Sequence, residues 1–462
     1  MSEKKMDMAK VLAILAQPRE TPPPLQQVER LRLELPYITK NGTVEVRAVR
    51  VVYAAIAAKP MPLIYVPHYE MGEDSLELRD YLAQGWAVAC PDAFNDSYNG
   101  TLLNDDMVFN NAALFALRQR PEFDANRVAL VGGSAGGYMT MMLAGQQLGL
   151  CACIANGPIT NAYFLTQHYF PQADALNLAA LAKLQAQAQA NAVAGAPEKS
   201  MVEKLQALSA LPLPFLAMLT GIFKQKEISK DEQNDVAYWE AVSAVGLADR
   251  YTCPIMVNHC TSDVLVPVDQ ITRRFTYDTP GDSLPADFSL RLPQSFAGKL
   301  NRSLEECLPP EATRVARIVV PQHAEEETAL PFDADKQFNL NIYDDGPAEG
   351  YGTHSARMDV GRRLDVPYLS AMFQKTATQT CVLNPAMLQS MLLRYLGKDA
   401  ALPAHEGSDD TAYGSLAMYR QQIREELKQY AANGGNVQAV ADTLFAHNDD
   451  PALRAAWDAC RP

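Results

Sequence analysis

A chain of 462 residues, 48% hydrophobic and 20% charged, can build a large apolar core, and it is long enough for one catalytic domain carrying appendages. With 54 acidic against 40 basic residues the formal charge is −14, which argues against nucleic acid and anionic membrane surfaces as partners. Small molecules or short peptides remain as the expected substrates.

The eight cysteines form no dense framework and no paired C-x-x-C, so they read as free thiols of a reducing, cytoplasmic setting. The apolar stretch Val11 to Ala16 is too short for a secretory core, and the run Leu211 to Phe223 holds two prolines and falls short of the ~20 residues a membrane span needs. No membrane segment is expected.

In chain order, residues 1 to 20 suggest a helix that Pro22 to Pro24 end, and two β-rich segments follow, Val28 to Leu35 and Val44 to Ile56. From Pro62 onward short apolar runs alternate with helical ones. These are Leu63 to Val66, a helix near Ser75 to Gln84, Ala87 to Cys90, a helix near Asp105 to Arg118, Val128 to Val131, a helix after Ser134, and Cys151 to Ala155. Such alternation predicts βαβ units and a mostly parallel sheet covered on both faces, an α/β fold.

After Gly157-Pro158 the rhythm stops, and the Ala-, Leu- and Gln-rich stretch 161–250 reads as an inserted helical cap. The core resumes over 251–276 with the strand Pro254 to Val257. A second insertion, 277–337, rich in proline and charge, offers one weak strand at Val315 to Val320. Phe338 to Tyr343 is the last predicted strand, closing the core over 338–375. A C-terminal extension, 376–462, carries helices near Pro385 to Leu396, Ser415 to Ala431 and Val437 to Ala446, and is the expected surface for self-association.

The most informative stretch is Val128-Ala-Leu-Val-Gly-Gly-Ser-Ala-Gly-Gly-Tyr138, an apolar run that breaks into four glycines around one serine before a helical segment. It reads as a nucleophile elbow, a sharp strand-to-helix turn whose small neighbours Gly132, Ala135 and Gly136 let Ser134 take a strained conformation. The turn lifts the Ser134 hydroxyl above the sheet, and the Ala135 N–H at the helix start is placed to hold an oxyanion. Neither G-x-G-x-x-G nor a Walker lysine is present, which weighs against a phosphate loop.

A serine hydroxyl is a poor nucleophile at neutral pH and needs a histidine base oriented by an acid. Asp263, on the loop after the strand Pro254 to Val257, is the expected acid, with Asp269 just downstream as the alternative. His354, delivered by the Gly-rich loop after the final strand, is the expected base and completes the order Ser, Asp, His. Among the other histidines, His259 lies just past a strand and reads as a structural core residue. The second oxyanion donor is expected from Pro67-His-Tyr-Glu-Met-Gly72, with Tyr69 first. His68, Glu70 and Gly133 are expected around the substrate. This chemistry needs no metal or organic cofactor, and no clustered metal ligands occur in the sequence.

At these residues the chain resembles the α/β-hydrolase superfamily, and within it the catalytic domain of the prolyl oligopeptidase family and related bacterial esterases. The elbow Gly132-Gly-Ser-Ala-Gly-Gly-Tyr-Met-Thr140 carries the resemblance, together with the run from Tyr238-Trp239 through Asp263 to Pro267 and the His354 loop. The resemblance implies an α/β-hydrolase fold and a Ser-Asp-His triad. In place of the family's His-Gly-Gly-type oxyanion loop stands His68-Tyr69-Glu70, and the first sixty residues have no room for the family's propeller. The leading expectation is a serine hydrolase cleaving a carboxylic ester or related acyl bond. The alternatives are an aminopeptidase-like or oligopeptidase-like serine peptidase, and, further off, an acyltransferase or a non-catalytic binding module.

Overall fold

The computed structural model describes residues 27–68, 71–92, 105–173, 235–261, 263, 265–275, 291–319, 332–344, 358–376, 382–402, 404–407 and 409–462, with scattered positions between 175 and 190. The expected leading helix and most of the expected cap lie outside the described residues.

Among the described residues one sheet of nine strands forms the centre: β1 (Val28–Ile38), β2 (Val44–Ala54), β3 (Met61–Tyr65), β4 (Ala87–Pro91), β5 (Phe123–Gly133), β6 (Ala152–Asn156), β7 (Ile255–Cys260), β8 (Thr313–Val319) and β9 (Phe338–Asp344). Their spatial order is β1-β2-β4-β3-β5-β6-β7-β9-β8. The hairpin β1-β2 is antiparallel and joins β4 antiparallel; every pair from β4 to β8 is parallel. Both predicted β-rich segments thus form the antiparallel flank, and the weak strand of the second insertion becomes the outer edge, β8.

Side chains alternate across the sheet with period two, so successive residues of one strand enter different cores. Leu63 and Tyr65 of β3 face the layer made by α2 (Asp105–Arg118) and α3 (Ala135–Ala144). Ile64, one residue between them, faces α1 (Leu76–Ala83) and α6 (Met358–Thr376) on the other side. Two short helices, α4 (Val236–Ala241) and α5 (Leu304–Cys307), flank the first layer.

Helix α1 starts where Ser75 accepts the Leu78 N–H, and the chain leaves it through Gly85 at φ 76°, a conformation that costs glycine little. Helix α6 runs through Pro367. That interior proline is the reason no sequence pattern marked this helix, since proline removes a backbone donor and ordinarily ends one.

The C-terminal helices α7 (Pro385–Tyr395), α8 (Leu416–Ala432), α9 (Val437–Phe445) and α10 (Pro451–Cys460) close a third core of their own, which Leu148 joins from the main body. The first three follow the predicted segments. Helix α10 is additional, although Asp450 as its cap and Pro451 at its first position are readable start signals. Polar contacts seat this module: Arg118 donates to the Leu148 carbonyl at 2.8 Å and to Gln429 at 2.9 Å, and Arg394 donates to the Gln146 carbonyl. Tyr413 pairs through its backbone with Pro36 and Ile38, covering one end of the β1 edge. Among the described residues no helix is long and apolar enough to cross a membrane, and the seven described cysteines are free thiols.

Candidate active site

Strands β3 and β5 are neighbours, with Tyr65 opposite Leu130, yet β4 follows β3 on one side and β6 follows β5 on the other. This is the switch point of the sheet, where loops at the carboxyl ends of adjacent strands diverge and leave a crevice. The loop after β3 carries His68, and the turn after β5 carries Ser134.

Ser134 has φ 54° and ψ −120°, a conformation an L-residue adopts only under constraint. Three features hold it there. Its N–H donates to the Asn156 carbonyl at 2.8 Å, and its own carbonyl accepts the Tyr138 N–H at 3.0 Å as the first turn of α3. The turn is also closely packed: a Cβ on Gly132 would lie 2.4 Å from the Gly136 carbonyl oxygen and 2.6 Å from Thr140 Oγ1. One on Gly137 would meet Pro158 at 3.1 Å. Gly137 was not among the small residues expected to shape the turn, because its constraint comes from the loop after β6 and leaves no mark in the local motif. Fully buried Ala135 is the first residue of α3, and N–H groups at a helix start have no acceptor within the helix. Gly133 ends β5, opposite Asn156.

Asp263 lies beyond β7 and is buried, 1% exposed. Its Oδ1 accepts the N–H groups of Leu265 and Val266, each at 2.9 Å, which fixes the carboxylate plane. Its Oδ2 stands 3.8 Å from His259 Nε2, beyond hydrogen-bond reach; that Nε2 donates instead to the Val266 carbonyl at 2.8 Å. His259 thus braces the acid loop, in keeping with a core role. Asp269 is engaged elsewhere. Its Oδ2 takes Arg291 Nε at 2.6 Å and the Leu292 N–H at 3.3 Å, tying the second insertion to the core, while burial pushes its carboxyl pKa up.

A row of amides lines up the strand ends. Asn258 Nδ2 donates to Asn156 Oδ1 at 2.8 Å, and Asn341 Nδ2 donates to Asn258 Oδ1 at 3.0 Å, linking β6, β7 and β9. The residue that receives the Ser134 N–H, the strand leading to Asp263 and the strand leading toward 354 are thereby set in one register. Sequence reasoning missed these asparagines, which look like turn residues until strand order places them side by side.

His68 has φ 75°, and burial, reinforced by the Arg47 charge, pushes its imidazole pKa down to about 4, so the ring is neutral at pH 7. Arg47 is anchored to Asp106 at 2.8 Å and lies over the Phe109 ring at 4.5 Å. Tyr69, Glu70 and His354 lie outside the described residues.

Residues 93–193, which include the elbow, match the model of the Prolyl oligopeptidase family. A search of curated proteins finds no sequence match. Among solved structures, acylaminoacyl peptidase of Pyrococcus horikoshii aligns at 13% identity and TM-score 0.39 over 75% of this chain and 42% of its own. Oligopeptidase B of Leishmania major aligns at 13% and 0.39 over 76% and 37%, and 2,6-dihydroxy-pseudo-oxynicotine hydrolase at 14% and 0.40 over 76% and 70%. The chain therefore spans about two fifths of the length of the first two, and likeness at this level says nothing of substrate. The sheet order, the helical layers and the strained Ser134 give the chain an α/β-hydrolase fold with the nucleophile elbow of a serine hydrolase.

Proposed function

We propose that the chain is a serine peptidase of the prolyl oligopeptidase kind, with Ser134 as nucleophile, His354 as base and then acid, and Asp263 as its orienter. The observation that carries the reading is Ser134 at φ 54° between β5 and α3, strained and held beside the Ala135 N–H. In the first step Ser134 Oγ bonds to the carbonyl carbon while its proton passes to His354. The tetrahedral oxyanion is held by the Ala135 N–H and a donor from the Tyr69 region. Collapse expels the amine, which takes the proton from His354, and water then repeats the sequence to free the acid. Asp263 supports the imidazolium through the carboxylate oxygen that Leu265 and Val266 do not occupy. Gly133, His68 and Glu70 are assigned to the border of the substrate, and a Glu70 carboxylate turned into the pocket would hold a substrate amine.

The match over 93–193 favours amide cleavage over the ester reading that the elbow alone suggests. Fluorophosphonate labelling tests the nucleophile: the native chain is expected to take one label at Ser134, and Ser134→Ala none. Aminoacyl anilides assayed against short p-nitrophenyl esters test the bond. Turnover of esters alone would return the assignment to an esterase.

A further inference from the structure

We propose that the buried hydrogen bond between Tyr81 and Asp365 is a positioning device, keeping the helix that follows His68 along the chain in register with the helix that follows His354 along the chain. The inference rests on the Ser134 hydrolase reading. Tyr81 Oη donates to Asp365 Oδ2 at 2.8 Å across 284 residues of sequence, with the two residues 1% and 2% exposed. Tyr81 lies in α1, which begins eight residues after His68; Asp365 lies in α6, which begins four residues after His354. At ~1.5 Å of rise per residue, the bond joins the helices roughly 8 and 11 Å below their starts.

Among the described residues an apolar cluster surrounds this bond. Leu78, Leu82 and Trp86 share one cluster with Tyr368, Leu369, Met372 and Phe373, and the Trp86 ring meets Phe373 edge-on at 5.1 Å. Apolar contact is non-directional, so such a layer resists separation better than sliding. A hydrogen bond has a fixed length and direction and penalises a slip along either axis. Burying a carboxylate is costly, and a well-packed apolar pair would join the helices at least as firmly. Burial and the neighbouring Asp365 also push the Tyr81 phenol well above its ordinary pKa, so its proton stays in the bond. Register is what the polar pair adds. Neither side chain is offered as touching substrate; both act through the helix starts.

The test is the second-order rate of fluorophosphonate labelling at Ser134, read beside the melting temperature. Tyr81→Phe, assayed well below its melting point, is expected to label about tenfold more slowly, since small misplacements of catalytic groups carry large rate penalties. Asp365→Asn keeps an acceptor for the phenol and is expected within about twofold of the native rate. The double variant Tyr81→Phe/Asp365→Leu removes the buried carboxylate and is expected to regain native melting while labelling slowly. A folded Tyr81→Phe that labels at the native rate overturns the proposal, as does a double variant that recovers rate together with stability. If Tyr81→Phe does not fold, the double variant decides. A native chain that takes no label refutes the Ser134 reading itself, an outcome separate from any variant.

Discussion

Gly132→Ala is the sharpest probe of the elbow because its cost can be worked from two contacts. The added Cβ would sit 2.4 Å from the Gly136 carbonyl oxygen and 2.6 Å from Thr140 Oγ1. Thr140 can rotate, but the Gly136 oxygen belongs to the first turn of α3 and must retreat by roughly 0.6 Å to reach even the shortest contact a carbon tolerates. Overpacking of this kind costs about 1–3 kcal/mol of stability. The same shift passes to Ser134 and the Ala135 N–H, where a displacement near 1 Å lowers rate by on the order of a hundredfold. Gly137→Ala, whose contact with Pro158 would be 3.1 Å, asks its neighbour for only a few tenths of an ångström and is expected to lose less than tenfold. The assay is the labelling rate at Ser134 beside a melting curve. Native labelling and melting in Gly132→Ala would refute the packing argument, and so would equal losses in the two variants.

Asp263→Asn is expected to lower kcat by about 10³–10⁴-fold, as replacing a triad acid by its amide does, whereas Asp269→Asn should cost less than tenfold while lowering the melting temperature; the reverse pattern would move the acid to Asp269. For His68 the sign runs toward acid loss. The folded imidazole titrates near 4 and the unfolded one near 6.5, so stability is intact above pH 6.5. It falls by up to about 3 kcal/mol as pH drops toward 4, because only the unfolded chain takes up the proton. His68→Gln should remove this component, and parallel acid melting of variant and native chains would refute it. Arg118→Met leaves the Leu148 carbonyl without its donor and should cost about 2 kcal/mol, read as earlier proteolysis at the seat of the C-terminal helices.

Strand positions were readable because period-two and βαβ alternation are local signals, and Ser134 and Asp263 followed from them. Strand order was not readable, since it depends on which distant edges pair, and with it went the amide row Asn156–Asn258–Asn341 and the pinch at Gly137. Helix α6 escaped through Pro367, whose missing donor a buried helix tolerates once Tyr368, Leu369 and Met372 are packed under the sheet. The positive φ of His68 also has no decisive sequence mark, since histidine takes such a backbone more often than most residues yet still only in a small minority of its positions.

A common physical logic joins these unreadable features. Strain at Ser134 persists only if its surroundings over-determine it, and two of the constraints on the turn come from outside the elbow: the Asn156 carbonyl from β6, and Pro158 from the loop beyond. Asn156 is held in turn by Asn258, on the strand that leads to Asp263, and Asn258 by Asn341, on the strand that leads toward 354. A shift of any one strand along its axis would therefore loosen the serine turn and displace the strand leading to the acid together. The site is specified by the register of the sheet as well as by its motif, so substitutions at Asn258, remote from Ser134 in sequence, should slow labelling there before they unfold the chain.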